Sequence, residues 1–84
     1  MKAKILWLES ALQDLEALSA RDIDFILRRV DLLSTFPFMG APMLFDEWEG
    51  YRQLICGNQR VIYQVLEDGK ILEIAYVRHA RQRL

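Results

Sequence analysis

Residues 60–77 read RVIYQVLEDGKILEIAYV, and this stretch decides the fold. Two runs rich in Val, Ile, Leu and Tyr flank Asp68-Gly69, a dipeptide suited to the left-handed backbone of a tight hairpin. With Asp68-Gly69 as a two-residue loop, Glu67 faces Lys70, and the register follows by counting. Val61 then faces Tyr76, Tyr63 faces Ile74 and Val65 faces Leu72, which makes one apolar face. The opposite face carries Arg60, Ile62, Gln64, Glu73, Ala75 and Val77. The same count sets Arg60 opposite Val77, with His79 two residues on, on Arg60's face and in diagonal reach of it. A one-residue slip would exchange the two faces.

Upstream, Arg52–Ile55 reads as another strand, joined to the hairpin by a turn at Gly57-Asn58. Lys2–Leu8 reads as a first strand, with bulk from Ile5, Leu6, Trp7 and Leu8. Two helices are expected between them. Ser10 with Gln13 has the spacing of a capping box, and Ala11, Leu12, Leu15 and Leu18 follow at helical intervals. Ser19 starts a second helix, with Ile23, Ile26, Leu27, Val30 and Leu33 on one stripe, and Pro37 ends it. The order β-α-α-β-β-β predicts an α+β domain, a helical hairpin packed on one face of a small antiparallel-rich sheet. Residues 36–48 break the pattern. Phe36, Phe38, Met39, Met43, Leu44, Phe45 and Trp48 are interrupted by Pro37, Gly40 and Pro42. These side chains either fold back under the sheet or form an exposed groove for another chain.

The 84 residues are expected to form one domain, 1–84, with a thin core that a partner protein would help to stabilise. The 52% hydrophobic content argues against disorder. No apolar run reaches the roughly 18 residues of a membrane helix. The first residues, with Lys2 and Lys4, lack the apolar stretch of a signal peptide, so a cytoplasmic protein with no membrane partner is expected. The single cysteine, Cys56, rules out an internal disulfide and suits a reducing compartment. Net charge is -1, but unevenly distributed. Residues 1–50 hold five basic and nine acidic side chains, while residues 51–84 hold six and three.

One His and one Cys are too few for a zinc site, and the four glycines are scattered, so neither a metal nor a nucleotide cofactor is expected. Cys56 with His79 would be a nucleophile pair without a supporting motif. The constellation with chemical content is Arg60, Arg78, His79 and Arg81, with Arg52 as a further member. Phosphodiester cleavage needs a proton acceptor, a proton donor and cations around the phosphate, and RNA brings its own 2′-hydroxyl nucleophile. The structural alternative is an ion pair from Arg60 to Glu73, with His79 a surface residue of a solvated tail.

Tyr51-Arg52-Gln53-Leu54, then Gly57, then Arg60-Val61-Ile62-Tyr63-Gln64-Val65 resembles the "R-x-L…G…R-V-I-Y-x-V" strands of RelE/ParE toxins. Val77-Arg78-His79-Ala80-Arg81 resembles their "V-x-H-x-R" ending. Ala11-Leu12-Gln13-Asp14-Leu15 is similar to the "A-x-x-D-L" of their first helix, and Phe36-Pro37-Phe38-Met39-Gly40 to the "F-P-x-x-G" after the second. The resemblance implies the toxin of a type II toxin–antitoxin (plasmid stabilisation) system, a growth inhibitor neutralised by a cognate antitoxin. RelE-like members cut messenger RNA in the ribosome with basic residues and often a C-terminal Tyr. ParE-like members poison DNA gyrase. The phrases around Gly40 and His79 are the more ParE-like, the charge is near neutral, and no helix bearing such a Tyr precedes Leu84. By resemblance, Arg60 takes the position of the strand arginine that meets the phosphate, and Arg81 that of the second arginine. Arg60, His79 and Arg81 are thus the catalytic candidates of the ribonuclease reading. Arg52, Arg78 and Arg83 are candidates for target or antitoxin contact. An inactive homologue that only binds an antitoxin is the third reading.

Overall fold

The computed structural model describes residues 2–84. In chain order the elements are β1 (Lys4–Trp7), α1 (Glu9–Glu16), α2 (Ala20–Thr35), β2 (Ala41–Pro42), β3 (Arg52–Cys56), β4 (Gln59–Leu66) and β5 (Ile71–His79). The sheet order is β1-β5-β4-β3-β2, with β1 parallel to β5 and the other pairs antiparallel. The α+β expectation holds. Its one omission is β2, a two-residue edge strand inside the aromatic stretch, where Pro42 is tolerated because an edge needs no donor on its open side.

Ser19 caps α2 as its sequence position predicts, its side chain accepting the Asp22 N–H at 3.2 Å. Ser10 does not cap α1. The helix starts at Glu9, and Ser10 Oγ donates to the Ala75 carbonyl on β5. The cause lies in the sheet. β1 pairs with β5 only as far as Trp7 and Ile74, so the outer edge of β5 beyond that point needs other partners. Leu8 N–H bonds Ile74, Ser10 bonds Ala75, and the Asp14 carboxylate accepts the Val77 N–H at 2.9 Å. Leu8 and α1 thereby seal the edge that β1 leaves open.

Ala11 and Leu15 of α1 and Ile26, Val30 and Leu33 of α2 pack with Leu54, Cys56, Val61, Tyr63, Leu72, Ile74 and Val77 of the sheet. Leu12 and Leu27, read as part of the apolar stripes, are instead exposed. In the hairpin turn Asp68 and Gly69 are left-handed, at φ 55° and 89°, and Lys70 N–H closes on the Glu67 carbonyl at 3.2 Å. The turn is longer than the two-residue loop expected, since Glu67 too is left-handed at φ 51° and the last ladder pair is Leu66↔Ile71, not Glu67 with Lys70. From that turn the counted register holds through Tyr63↔Ile74. There β5 carries a bulge, with Ala75 the extra residue, and beyond it every pair moves by one. Val61 faces Val77 rather than Tyr76, and Arg60 faces Arg78 rather than Val77. Val77 joins the core, while Tyr76 turns to the face without helices.

Candidate functional site

Strand alternation sorts the candidate residues. On the helix-free face, Gln53, Ile62 and Tyr76 form one cross-strand row, and Ile55, Arg60 and Arg78 form the next. On the helix-covered face, Cys56, Gln59 and His79 form a row. Arg60 and His79 therefore belong to opposite faces, which corrects the placement expected from a bulge-free count. The Arg60–Glu73 pair is absent too, because Glu73 faces Gln64. Cys56 and His79 are separated by the intervening strand and the buried Gln59, so they form no nucleophile pair. Burial pushes the Cys56 thiol up, opposed in part by the charge and hydrogen bond of Arg29.

Arg60 and Arg78 face each other directly, and like charges in that position repel. Each is tied to an acceptor. Arg60 Nη1 donates to Gln53 Oε1 at 3.1 Å, and its Nη2 donates to the Ala80 carbonyl. Arg78 forms an ion pair with Asp14, both side chains largely shielded, and its guanidinium lies 4.7 Å from the Tyr76 ring centre. Trp48 stands edge-on against Tyr76 at 5.6 Å and against Tyr51 at 5.3 Å. The single turn Asp46–Trp48 thus lies over the helix-free face, where Ile62 is fully buried.

Arg52 is elsewhere. It pairs with Tyr63 on the helix-covered face, donates to the carbonyls of Phe38 and Gly40, and stacks 5.3 Å from the Phe38 ring. The Nε atoms of Arg52 and Arg60 are buried without a partner. The C-terminal tail leaves β5 at His79, whose Nδ1 accepts the Arg81 N–H at 3.1 Å. Ala80 N–H bonds Asn58, and Arg60 holds the Ala80 carbonyl from the other side. His79, Arg81 and Arg83 are exposed. The structure pairs Arg60 with Arg78 on the helix-free face, joins His79 to the Arg81 backbone at the start of the exposed tail, and places Arg52 and His79 on the other face. Sequence reasoning missed Asp14, Gln53 and Tyr76, which engage these arginines. Asp14 was visible only as a letter in the "A-x-x-D-L" phrase. No group of three metal-binding side chains occurs among the described residues.

Most of the large apolar side chains of residues 36–48 do not fold back. Phe36, Phe38, Met39, Leu44 and Phe45 are exposed, while Met43 is buried and Trp48 partly so. No helix among the described residues is long and apolar enough to cross a membrane.

This architecture is that of the RelE-like toxins. The chain matches one in the toxin–antitoxin complex RelBE2 from Mycobacterium tuberculosis with a TM-score of 0.85 and 21% identity, over 94% of this chain and 99% of that one. It matches the YoeB/ParE toxin from Agrobacterium tumefaciens at 0.73 and 24%, over 90% and 96%. It matches a chain of the archaeal RelE–RelB complex from Pyrococcus horikoshii OT3 at 0.75 and 17%, over 99% and 100%. At such identities these likenesses speak for the fold. No curated protein sequence matches this one. Residues 5–84 match the family described as ParE toxin of type II toxin-antitoxin system, parDE, and the chain belongs to that family.

Proposed function

We propose that this ParE-family toxin inhibits growth by acting on DNA gyrase and is held inactive by a cognate antitoxin. The observation that carries the reading is the commitment of the basic residues. Arg60 and Arg78 already serve Gln53, Ala80 and Asp14, and His79 belongs to the face opposite Arg60, which speaks against a single acid–base and phosphate-binding set. What remains free to meet a target is the tail, with Arg81 and Arg83 exposed. An antitoxin partner is supported by the family and by relatives solved as toxin–antitoxin complexes.

The second reading, cleavage of messenger RNA on the ribosome, is favoured by one feature. Arg60, Arg78 and Tyr76 share a face, and two guanidiniums beside an aromatic ring suit a phosphate and a stacked base. In that reading Arg60 and Arg81 bind the phosphate and His79 moves the proton.

Induced expression with growth monitored, gyrase supercoiling by the purified protein, and mapping of cellular messenger RNA ends decide between the readings. The gyrase reading expects growth arrest, lost supercoiling and intact messenger RNA. It also expects His79→Gln to remain toxic. In the ribonuclease reading that change lowers cleavage by roughly 10²–10⁴-fold. Arrest with messenger cleavage and normal supercoiling would overturn the proposal. Normal growth would leave an inactive antitoxin-binding homologue.

A further inference from the structure

The hairpin end of the sheet carries a crevice of about 400 Å³ lined by Phe38, Met43, Leu44, Phe45, Tyr51 and Val65. Its mouth exposes large apolar side chains. Leu44 is 89% exposed, and Phe38 and Phe45 are each 61% exposed. Large apolar side chains grouped in this way leave a cost that a partner removes. The rim is acidic on balance, and its one lining cation, Arg52, already donates to the Phe38 and Gly40 carbonyls. Asp46 and Glu49 line the crevice, and Glu47 lies between them. Glu67 and Asp68 occupy the hairpin turn, whose Gly69 lies beside the rings of Pro37 and Phe38. All five carboxylates are exposed, and none joins a salt bridge among the described residues. Apart from Arg52, the cation nearest in sequence to these carboxylates is Lys70 of the hairpin turn, outside the lining. The basic tail is at the other end of β4, about 20 Å away at the usual rise of a strand.

We propose that this crevice receives a basic amphipathic segment of the antitoxin. One or two large apolar side chains seat among Phe38, Leu44 and Phe45, and lysine or arginine is set against Asp46, Glu47, Glu49 and Glu67. The proposal rests on the reading of the chain as a toxin with an antitoxin. An acidic segment would cover the apolar surface equally well but would bring like charges together, which opposes binding. The antitoxin's complement to this end of the toxin is therefore cationic.

The test uses the full chain and two blocked six-residue peptides, one alternating leucine with lysine and one alternating leucine with glutamate. Binding is followed by backbone amide shifts. The leucine–lysine peptide is expected to bind saturably and to shift Phe38, Met43–Tyr51 and Val65. Its affinity should fall with added salt. The Asp46→Lys/Glu49→Lys double variant should bind it about tenfold more weakly, and Leu44→Asp should abolish binding. All substituted side chains are exposed, and unchanged circular dichroism would show that the variants fold. No saturable binding, equal binding of the leucine–glutamate peptide, or full affinity in the double variant would overturn the proposal. In cells, the antitoxin should neutralise the double variant less well than wild type. Undiminished neutralisation sinks the crevice inference and spares the toxin reading. Absence of growth inhibition by wild type sinks the toxin reading, while the peptides still decide the chemistry of the crevice.

Discussion

Tyr63 is fully buried, yet its hydroxyl has two partners, accepting the Gly40 N–H at 3.0 Å and donating to the Pro37 carbonyl at 3.0 Å. One phenol thus fixes the loop that leaves α2. Tyr63→Phe should cost about 1–3 kcal/mol in urea unfolding, because a buried N–H loses its acceptor. Gly40→Ala should cost more. A Cβ there would stand 2.5 Å from the Gln53 carbonyl and from the Tyr63 hydroxyl, and the first of these is backbone that does not yield. The motif "F-P-x-x-G" was legible in the sequence, but its cause was not. Gly40 is needed for close approach to β3 and Tyr63, a contact that joins residues distant along the chain. Cys56 is a further case. Burial raises its thiol pKa and Arg29 opposes the rise, so less thiolate forms at a given pH than in an open thiol. Iodoacetamide should therefore label the native protein slowly near neutral pH and label the urea-unfolded chain rapidly. Equal rates in the two states would show that the thiol is accessible in the fold.

The two arms of the β4–β5 hairpin were legible to different degrees, and Ala75 is the reason. From the Asp68-Gly69 turn outward, turn chemistry fixes the pairs through Tyr63↔Ile74. Ala75 is small and apolar, so nothing in the sequence distinguishes a regular strand residue from a bulge. The slip it introduces sends Tyr76 to the helix-free face and separates Arg60 from His79, and so the fold class was readable while the site was not. The same region depends on α1. Asp14 accepts from Val77 N–H and pairs with Arg78, so a single carboxylate closes a strand edge and offsets the repulsion between Arg60 and Arg78. Asp14→Ala should cost about 2–3 kcal/mol, since hydrogen bonds to a charged group are lost together with the neutralising partner. Thermal unfolding of Asp14→Ala, Arg78→Ala and the double variant measures this. The double variant should be less destabilised than the sum of the two single changes. Strict additivity would mean that Asp14 and Arg78 do not act as a pair.

Across the whole molecule, the charge asymmetry of the sequence becomes a polarity of the fold. Carboxylates gather around the apolar crevice at the hairpin end, and Arg81 and Arg83 extend from the other end of a body 32 Å in its longest dimension. At physiological salt, fields decay over about 8 Å, so the two ends act independently. If the tail engages the target and the crevice engages the antitoxin, toxicity and neutralisation are separable. Deleting residues 81–84 should abolish growth inhibition and leave antitoxin affinity within about threefold of wild type. These residues are exposed apart from the partly covered Leu84, so the fold should persist. Asp46→Lys/Glu49→Lys should do the opposite, keeping growth inhibition while weakening antitoxin binding. Combining both changes should give the sum of their binding free energies, as sites this far apart usually do. Titration calorimetry on all four proteins, with growth curves in parallel, provides the measurement. If the tail deletion weakens antitoxin binding as strongly as the crevice change does, the antitoxin covers both ends in one footprint. The separation of the two functions along the sheet would then be wrong.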